Sequence, residues 1–216
     1  MIERLKTGFP ALDEALNGGI PRKNSVLVTG KAGTGKTIFC MQALYNMIKQ
    51  GEKGLYLSLE QNPEDVLEQC EEFDWKLKEL IDDGRLVINH HAELDYTSLE
   101  ISLENMLRGQ KVTVVVLDPI SMLQMYFKDK LDFRVALFNL FQMIKKYKAT
   151  ALLIDDSEAA ELDAYAADGL IEIKLVPKGP GTERTLEILK MEKTAHSTKL
   201  ILFIISKKGI IFQHHG

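Results

Sequence analysis

The sequence predicts an α/β fold, with a central, mostly parallel sheet flanked by helices and antiparallel strands at the C-terminal end. Apolar runs of strand length, SVLVT, GLYLSL, VTVVVL and TALLI, alternate with segments whose apolar residues recur at helical spacing, which is the pattern of βαβ units. The first run feeds directly into GKAGTGKT at 30–37 and from there into a helical pattern. From Leu170 onward the helical spacing stops, and strand-like runs are broken by turn signals at 177–181, Ser197 and 208–209.

The opening stretch TGFPALDEALNGGIP, residues 7–21, reads as a short amphipathic helix over 10–16, started by Pro10 and ended by Asn17, Gly18, Gly19 and Pro21. A strand at 26–28 then delivers the chain to a complete P-loop: Gly, four residues, Gly, Lys, Thr. Each position has a physical task. Gly30, Gly33 and Gly35 let the loop, with Lys31, Ala32 and Thr34, turn bare N–H groups toward a polyphosphate. Lys36 reaches the β and γ phosphates, and Thr37 offers a hydroxyl to Mg²⁺. The helix continuing through Ile38 aims its positive end at the same phosphates and closes at Gly51. Together these residues predict an ATP site.

The next run gives a strand over 55–59 and a helix start at 62–65, with an early Pro63 and acids in the first turn. Glu60 therefore stands at the C-terminal end of a strand, the edge where open α/β sheets bind ligands. It is the candidate base for a water attacking the γ phosphate, and a solvent-facing glutamate is the competing reading. Residues 66–80 carry a helical pattern, with Trp75 either in the core or shielding an edge. A strand follows at RLVINHH. His90 and His91 are strand neighbours that point to opposite faces, which disfavours a shared metal.

Residues 96–107 are helical, and KVTVVVLDPIS is a fully buried parallel strand ending in Asp118, a carboxylate placed to hold Mg²⁺ through water. Many buried strands end in an acid. Behind a complete P-loop, however, this one supplies the second half of a nucleotide site. Residues 121–133 are unpatterned, so a loop or irregular helix is expected before a helix over 133–147 and a last buried strand in ATALLIDD. Between 155 and 168 every charged residue is an acid: Asp155, Asp156, Glu158, Glu161, Asp163 and Asp168.

At 216 residues, with no linker-like break, the chain is expected to form one domain over 1–216. A net charge of -4, from 27 basic and 31 acidic residues, leaves no general basic footprint for nucleic acid. Cys40 and Cys70 both lie in helical patterns and are read as buried free thiols. No window has the ~18 apolar residues of a membrane span, and the charged N-terminus is unlike a signal peptide, so a cytoplasmic location is expected.

Over nearly its whole length the chain resembles the RecA superfamily, and within it the KaiC-like ATPases. TGFPALDEALNGGIP is similar to the family's TG-x-x-x-LD-x-x-L-x-GG-x-P opening motif, YLSLEQNPEDV to its strand ending in paired glutamates, and VVVLDPIS to its Walker B strand. LEILKMEKTAHSTK resembles a late strand that usually reads KMRGTxH. The resemblance implies a RecA-type fold, ATP with Mg²⁺, and a homo-oligomer, a hexameric ring, with ATP between neighbours. It also implies that Lys190, Met191, Thr194 and His196 of one subunit approach the nucleotide of the next, with Lys190 the acting cation. If strand alternation holds, Arg184, Leu186, Ile188 and Lys190 share one face, and Glu183, Glu187 and Met191 the other.

Three positions depart from the family pattern. The second glutamate of the pair is Gln61, the trans-acting arginine is Glu192, and its following glycine is Lys193. With a carboxylate in place of an arginine finger, slow hydrolysis is expected. The favoured reading is an oligomeric, slow, Mg-dependent ATPase whose nucleotide state regulates an unidentified protein partner. An ATP-dependent switch or scaffold with little turnover is the alternative. A DNA-handling recombinase comes third, because the acidic run at 155–168 offers no phosphate contacts.

Overall fold

The computed structural model describes residues 2–92, 95–157 and 165–213. Nine strands form one sheet. They are β3 (Ser25–Thr29), β4 (Gly54–Ser58), β5 (Leu86–His90), β6 (Val114–Asp118), β7 (Thr150–Asp155), β8 (Gly169–Lys178), β9 (Gly181–Met191), β10 (Ile201–Ser206) and β11 (Gly209–Phe212). The order across the sheet is β11-β10-β9-β8-β3-β7-β6-β4-β5. From β8 to β5 all neighbours are parallel, whereas β9, β10 and β11 each run antiparallel to the strand before. Helices cover both faces: α1 (Pro10–Ala15), α2 (Lys36–Lys49), α3 (Pro63–Cys70) and α4 (Leu77–Asp82) on one, and α5 (Tyr96–Gln110) and α6 (Lys130–Lys146) on the other.

The period of two along each strand divides the apolar runs between two cores. Val26, Val28, Tyr56, Val116 and Ile154 pack under α2, while Leu27, Leu57, Leu117 and Leu153 pack under α5 and α6. This is why these runs are apolar throughout and do not alternate. Two short strands, β1 (Arg4–Leu5) and β2 (Ile20–Pro21), pair beside α1. The Asp13 carboxylate accepts hydrogen bonds from Thr7 N at 2.7 Å, Thr7 Oγ1 at 2.8 Å and Gly8 N at 3.2 Å. Gly8 has φ +77°, and a Cβ there would lie 2.5 Å from Cβ of Asn46, so the opening motif is clamped directly onto α2.

Several expectations need correcting. The helix expected over 66–80 is two helices separated by 71–76. There Phe73 and Trp75 stack at 4.5 Å, and Trp75 stacks on Tyr45 of α2 at 6.1 Å. The aromatic contact sets that path more strongly than the helical spacing. The segment after Asp118 is a 3-10 helix over Ile120–Tyr126, in keeping with the irregular helix expected there, but α6 starts at Lys130, three residues before the expected start, because Asp129 caps it by accepting from Leu131 N. The alternation expected along β9 is broken. Leu170 pairs with Lys190 but Ile171 pairs with Ile188, leaving Leu189 as the extra residue of a bulge. Met191 therefore joins Leu186 and Ile188 in the core under α2, and Lys190 leaves that face.

The outer edge of β11 is closed by a side chain. Buried Gln42 of α2 donates from Nε2 to Ile210 O at 3.2 Å and accepts from Ile210 N at 2.6 Å. Both cysteines are buried and free. No helix among the described residues is long and apolar enough to cross a membrane.

Candidate functional site

The P-loop runs from the end of β3 to the start of α2 and rests on the C-terminal strands. A Cβ on Gly30 would come within 2.2 Å of the Ile173 carbonyl of β8, so only glycine fits there. Gly33 has open space around it but φ +78°, the left-handed region. Thr34, 1% exposed, braces the loop from inside by donating to Lys31 O at 2.9 Å. Gly35 caps α2, so the loop meets the positive end of that helix. Lys31 and Ala32 are exposed, and Ile38 packs against the core beneath the loop.

Lys36 is 8% exposed and donates to Gly30 O at 2.7 Å and Lys31 O at 3.1 Å. Burial lowers its ammonium pKa, and the charges of Asp156 and Asp118 oppose that shift. One helical residue on, Thr37 Oγ1 donates to Asp118 Oδ2 at 2.8 Å. The same oxygen accepts from the Tyr56 hydroxyl at 2.5 Å. Burial pushes the Asp118 carboxyl above its ordinary value, while the hydrogen bonds from Tyr56 and Thr37 pull the other way. The Tyr56 phenol is raised well above its ordinary value, chiefly by burial, and so remains a donor to Asp118.

These groups open onto a cleft of about 170 Å³. Ala32, Gly33, Lys36 and Thr37 form its floor, and Ser58, Glu60, Gln61, Asp118, Pro119, Ile154 and Asp156 complete the walls. Glu60 is exposed within it. The Ser58 hydroxyl sets this turn by accepting from Glu60 N at 3.3 Å and Gln61 N at 2.8 Å. The sheet thus brings the P-loop, Thr37, Asp118 and Glu60 to one place. The donor set fits Mg²⁺, which takes one or two protein oxygens and leaves its other positions to phosphate and water. Thr37 and Asp118 supply such oxygens. Among the described residues no group of three or more His, Cys, Asp or Glu is placed to form an all-protein cage.

The late-strand residues lie elsewhere. Lys190 Nζ donates to Ala167 O at 2.6 Å and lies 3.4 Å from a Glu192 carboxylate oxygen. Met191 is buried, Thr194 accepts from Arg4 Nη1 at 2.9 Å, and His196 Nδ1 is 3.1 Å from Ser197 O. None of the four lines the P-loop cleft of its own chain.

Sequence reasoning passed over Tyr56, Ser58 and Asp156 as site residues. The sequence does carry a signal for the last: TALLIDD, like VVVLD, is an apolar run ending in acid. Asp155 is 0% exposed, its carboxyl is raised by burial, and its Oδ2 has no hydrogen-bond partner. Of the acidic run at 155–168, Glu158, Glu161 and Asp163 lie outside the described residues.

Comparison with known proteins identifies a family and a shared fold. The family model for the KaiC ATPase matches residues 5–216. The chain is 31% identical to a UPF0273 protein of Thermotoga maritima, covering 98% of this chain and 96% of that one. It is 29% identical to the circadian clock protein KaiC3 of Synechocystis, over 97% of this chain but 45% of that longer protein. The crystal structure of a KaiC-like protein from the hyperthermophilic archaeon Pyrococcus horikoshii superimposes with a TM-score of 0.91 at 25% identity, covering 99% and 100% of the two chains.

Proposed function

The chain belongs to the KaiC family of ATPases, within the RecA superfamily, and from that membership we propose that it is a slow, Mg-dependent ATPase acting as one unit over 1–216 in the cytoplasm. Its copies form head-to-tail rings with ATP at the subunit boundaries, and the nucleotide state regulates a protein partner. One observation carries the nucleotide site: Lys36, the Thr37–Asp118 hydrogen bond and Glu60 share a single cleft at the C-terminal edge of the sheet. Backbone N–H groups of the loop bind the phosphates, Lys36 supplies the point charge, and Thr37 with Asp118 holds the metal. Glu60 takes a proton from the attacking water. When bound, Mg²⁺ neutralises charge on the phosphate oxygens.

Ring assembly is supported by two unlike apolar surfaces. Leu131, Val135 and Phe138 form an exposed stripe along α6, 66%, 52% and 50% exposed, while Leu189, Ile204 and Ile211 are exposed on the C-terminal strands. Two different patches favour a heterologous contact, which gives a ring where the rotation between copies closes. Burying the α6 stripe is worth about 3–5 kcal/mol before association costs.

The alternative, a nucleotide switch with little turnover, draws on a specific observation. Lys190 is already occupied by Ala167 O and Glu192, so positive charge offered to a neighbour is reduced. A DNA-handling role finds little support in a net charge of -4 and in Asp155 and Asp156 at the end of β7. Calorimetry with ATP and MgCl₂, followed by phosphate release, tests the proposal. Binding that disappears in Lys36→Ala, with slow release of phosphate by the wild type, is expected. Near-normal affinity in Lys36→Ala would overturn the site, and binding without phosphate release would favour the switch.

A further inference from the structure

The sheet order puts the end of β7 between β3, which feeds the P-loop, and β6, which ends in Asp118. With a nucleotide bound as proposed above, that interval faces its terminal phosphate, because Lys36 lies on one side and Asp118 on the other. The residue that emerges there is Asp156. It lines the cleft with Lys36, Thr37, Glu60 and Asp118, and it acts on the Lys36 ammonium ahead of Asp118. It accepts a hydrogen bond from Ser121 Oγ at 2.5 Å, which fixes the carboxylate from the turn that follows β6. The cleft therefore sets one ammonium against the carboxylates of Glu60, Asp118 and Asp156.

An unneutralised triphosphate entering such a cleft meets more negative than positive charge, and a divalent cation reverses that balance. We propose that Asp156 makes nucleotide binding conditional on a divalent cation, by repelling a bare terminal phosphate and tolerating a metal-loaded one. The inference rests on the nucleotide-site reading and adds a residue-level control of it. Asp156 acts through its charge, so losing the Ser121 hydrogen bond alone leaves the control in place. ADP, which lacks the phosphate nearest β7, is less affected than ATP.

The test is calorimetric binding of ATP and ADP to the full chain, in MgCl₂ and in EDTA, for wild type, Asp156→Asn and Ser121→Ala. Asp156→Asn is expected to raise metal-free ATP affinity about tenfold, and to raise metal-free ADP affinity and Mg-ATP affinity by much less, so that the ratio of metal-loaded to metal-free ATP affinity falls. Ser121→Ala is expected to keep the wild-type ratio of metal-loaded to metal-free affinity. An unchanged ratio in Asp156→Asn, or an equal change in Ser121→Ala, overturns the inference while the nucleotide site stands. A loss of Mg-ATP affinity with metal-free affinity unmoved also overturns it, since Asp156 would then be holding the metal. If the wild type binds no nucleotide under either condition, the nucleotide-site reading falls and the inference falls with it.

Discussion

Glu60 and Asp155 are carboxylates at the ends of β4 and β7, with β6 between them, yet they sit in opposite surroundings. Glu60 is exposed in the cleft, within reach of water, which is the position the proposed general base needs. Glu60→Gln should keep ATP binding and lower phosphate release by roughly 10²–10⁴-fold in a single-turnover assay. Unchanged turnover would make Glu60 a bystander. Asp155 is buried, and burial raises its carboxyl. A carboxyl raised in the folded state contributes stability that is full below the unfolded pKa and lost as pH rises through the folded one. Asp155→Asn should therefore melt at a higher temperature than wild type at neutral pH, with the gap closing toward about pH 4. A gap that widens toward acid would contradict the burial argument. Asp118 was legible in the sequence because an apolar strand ending in acid follows a complete P-loop. Asp156 ends a similar run, but its place in the cleft depends on β7 lying between β3 and β6, which no local pattern records.

At the scale of elements, the clamp at the start of the chain positions α2 and with it the P-loop. Asp13→Ala removes three hydrogen bonds accepted by a carboxylate, two of them donated by Thr7, which is 0% exposed. A loss of about 3 kcal/mol in urea unfolding is expected, and a change under about 0.5 kcal/mol would show the clamp to be dispensable. The sequence displayed this element as a short capped helix, but the partners of Asp13 come from turn geometry that spacing alone does not give. Trp75 shows the same limit from the other side. Helical spacing continues through it, yet stacking on Tyr45 ends α3 and begins α4 elsewhere. The bulge at Leu189 is a third case, since one inserted residue turns Lys190 away from the core face and brings Met191 onto it.

For the whole molecule, the alternation of βαβ units and the antiparallel ending were readable from period and turn signals, whereas the interleaved order of β3, β7 and β6 was not. The proposed shared sites make a test at this scale. Lys190→Ala subunits mixed with Lys36→Ala subunits should regain part of the phosphate release that each lacks, because an intact P-loop can then meet an intact Lys190. Glu192→Arg alone should raise turnover by placing positive charge near the transferring phosphoryl group. If mixing restores nothing, the boundary carries no shared site. How copies meet is also constrained by the amide of Gln42, which takes both the N–H and the C=O of Ile210. A helix side chain stands where a further strand would add beyond β11, so that edge strand presents a backbone already engaged at its centre. Joining of sheets from molecule to molecule is blocked at that border, so the proposed association of copies would have to use side-chain surfaces there, whose contacts can part without breaking a strand ladder.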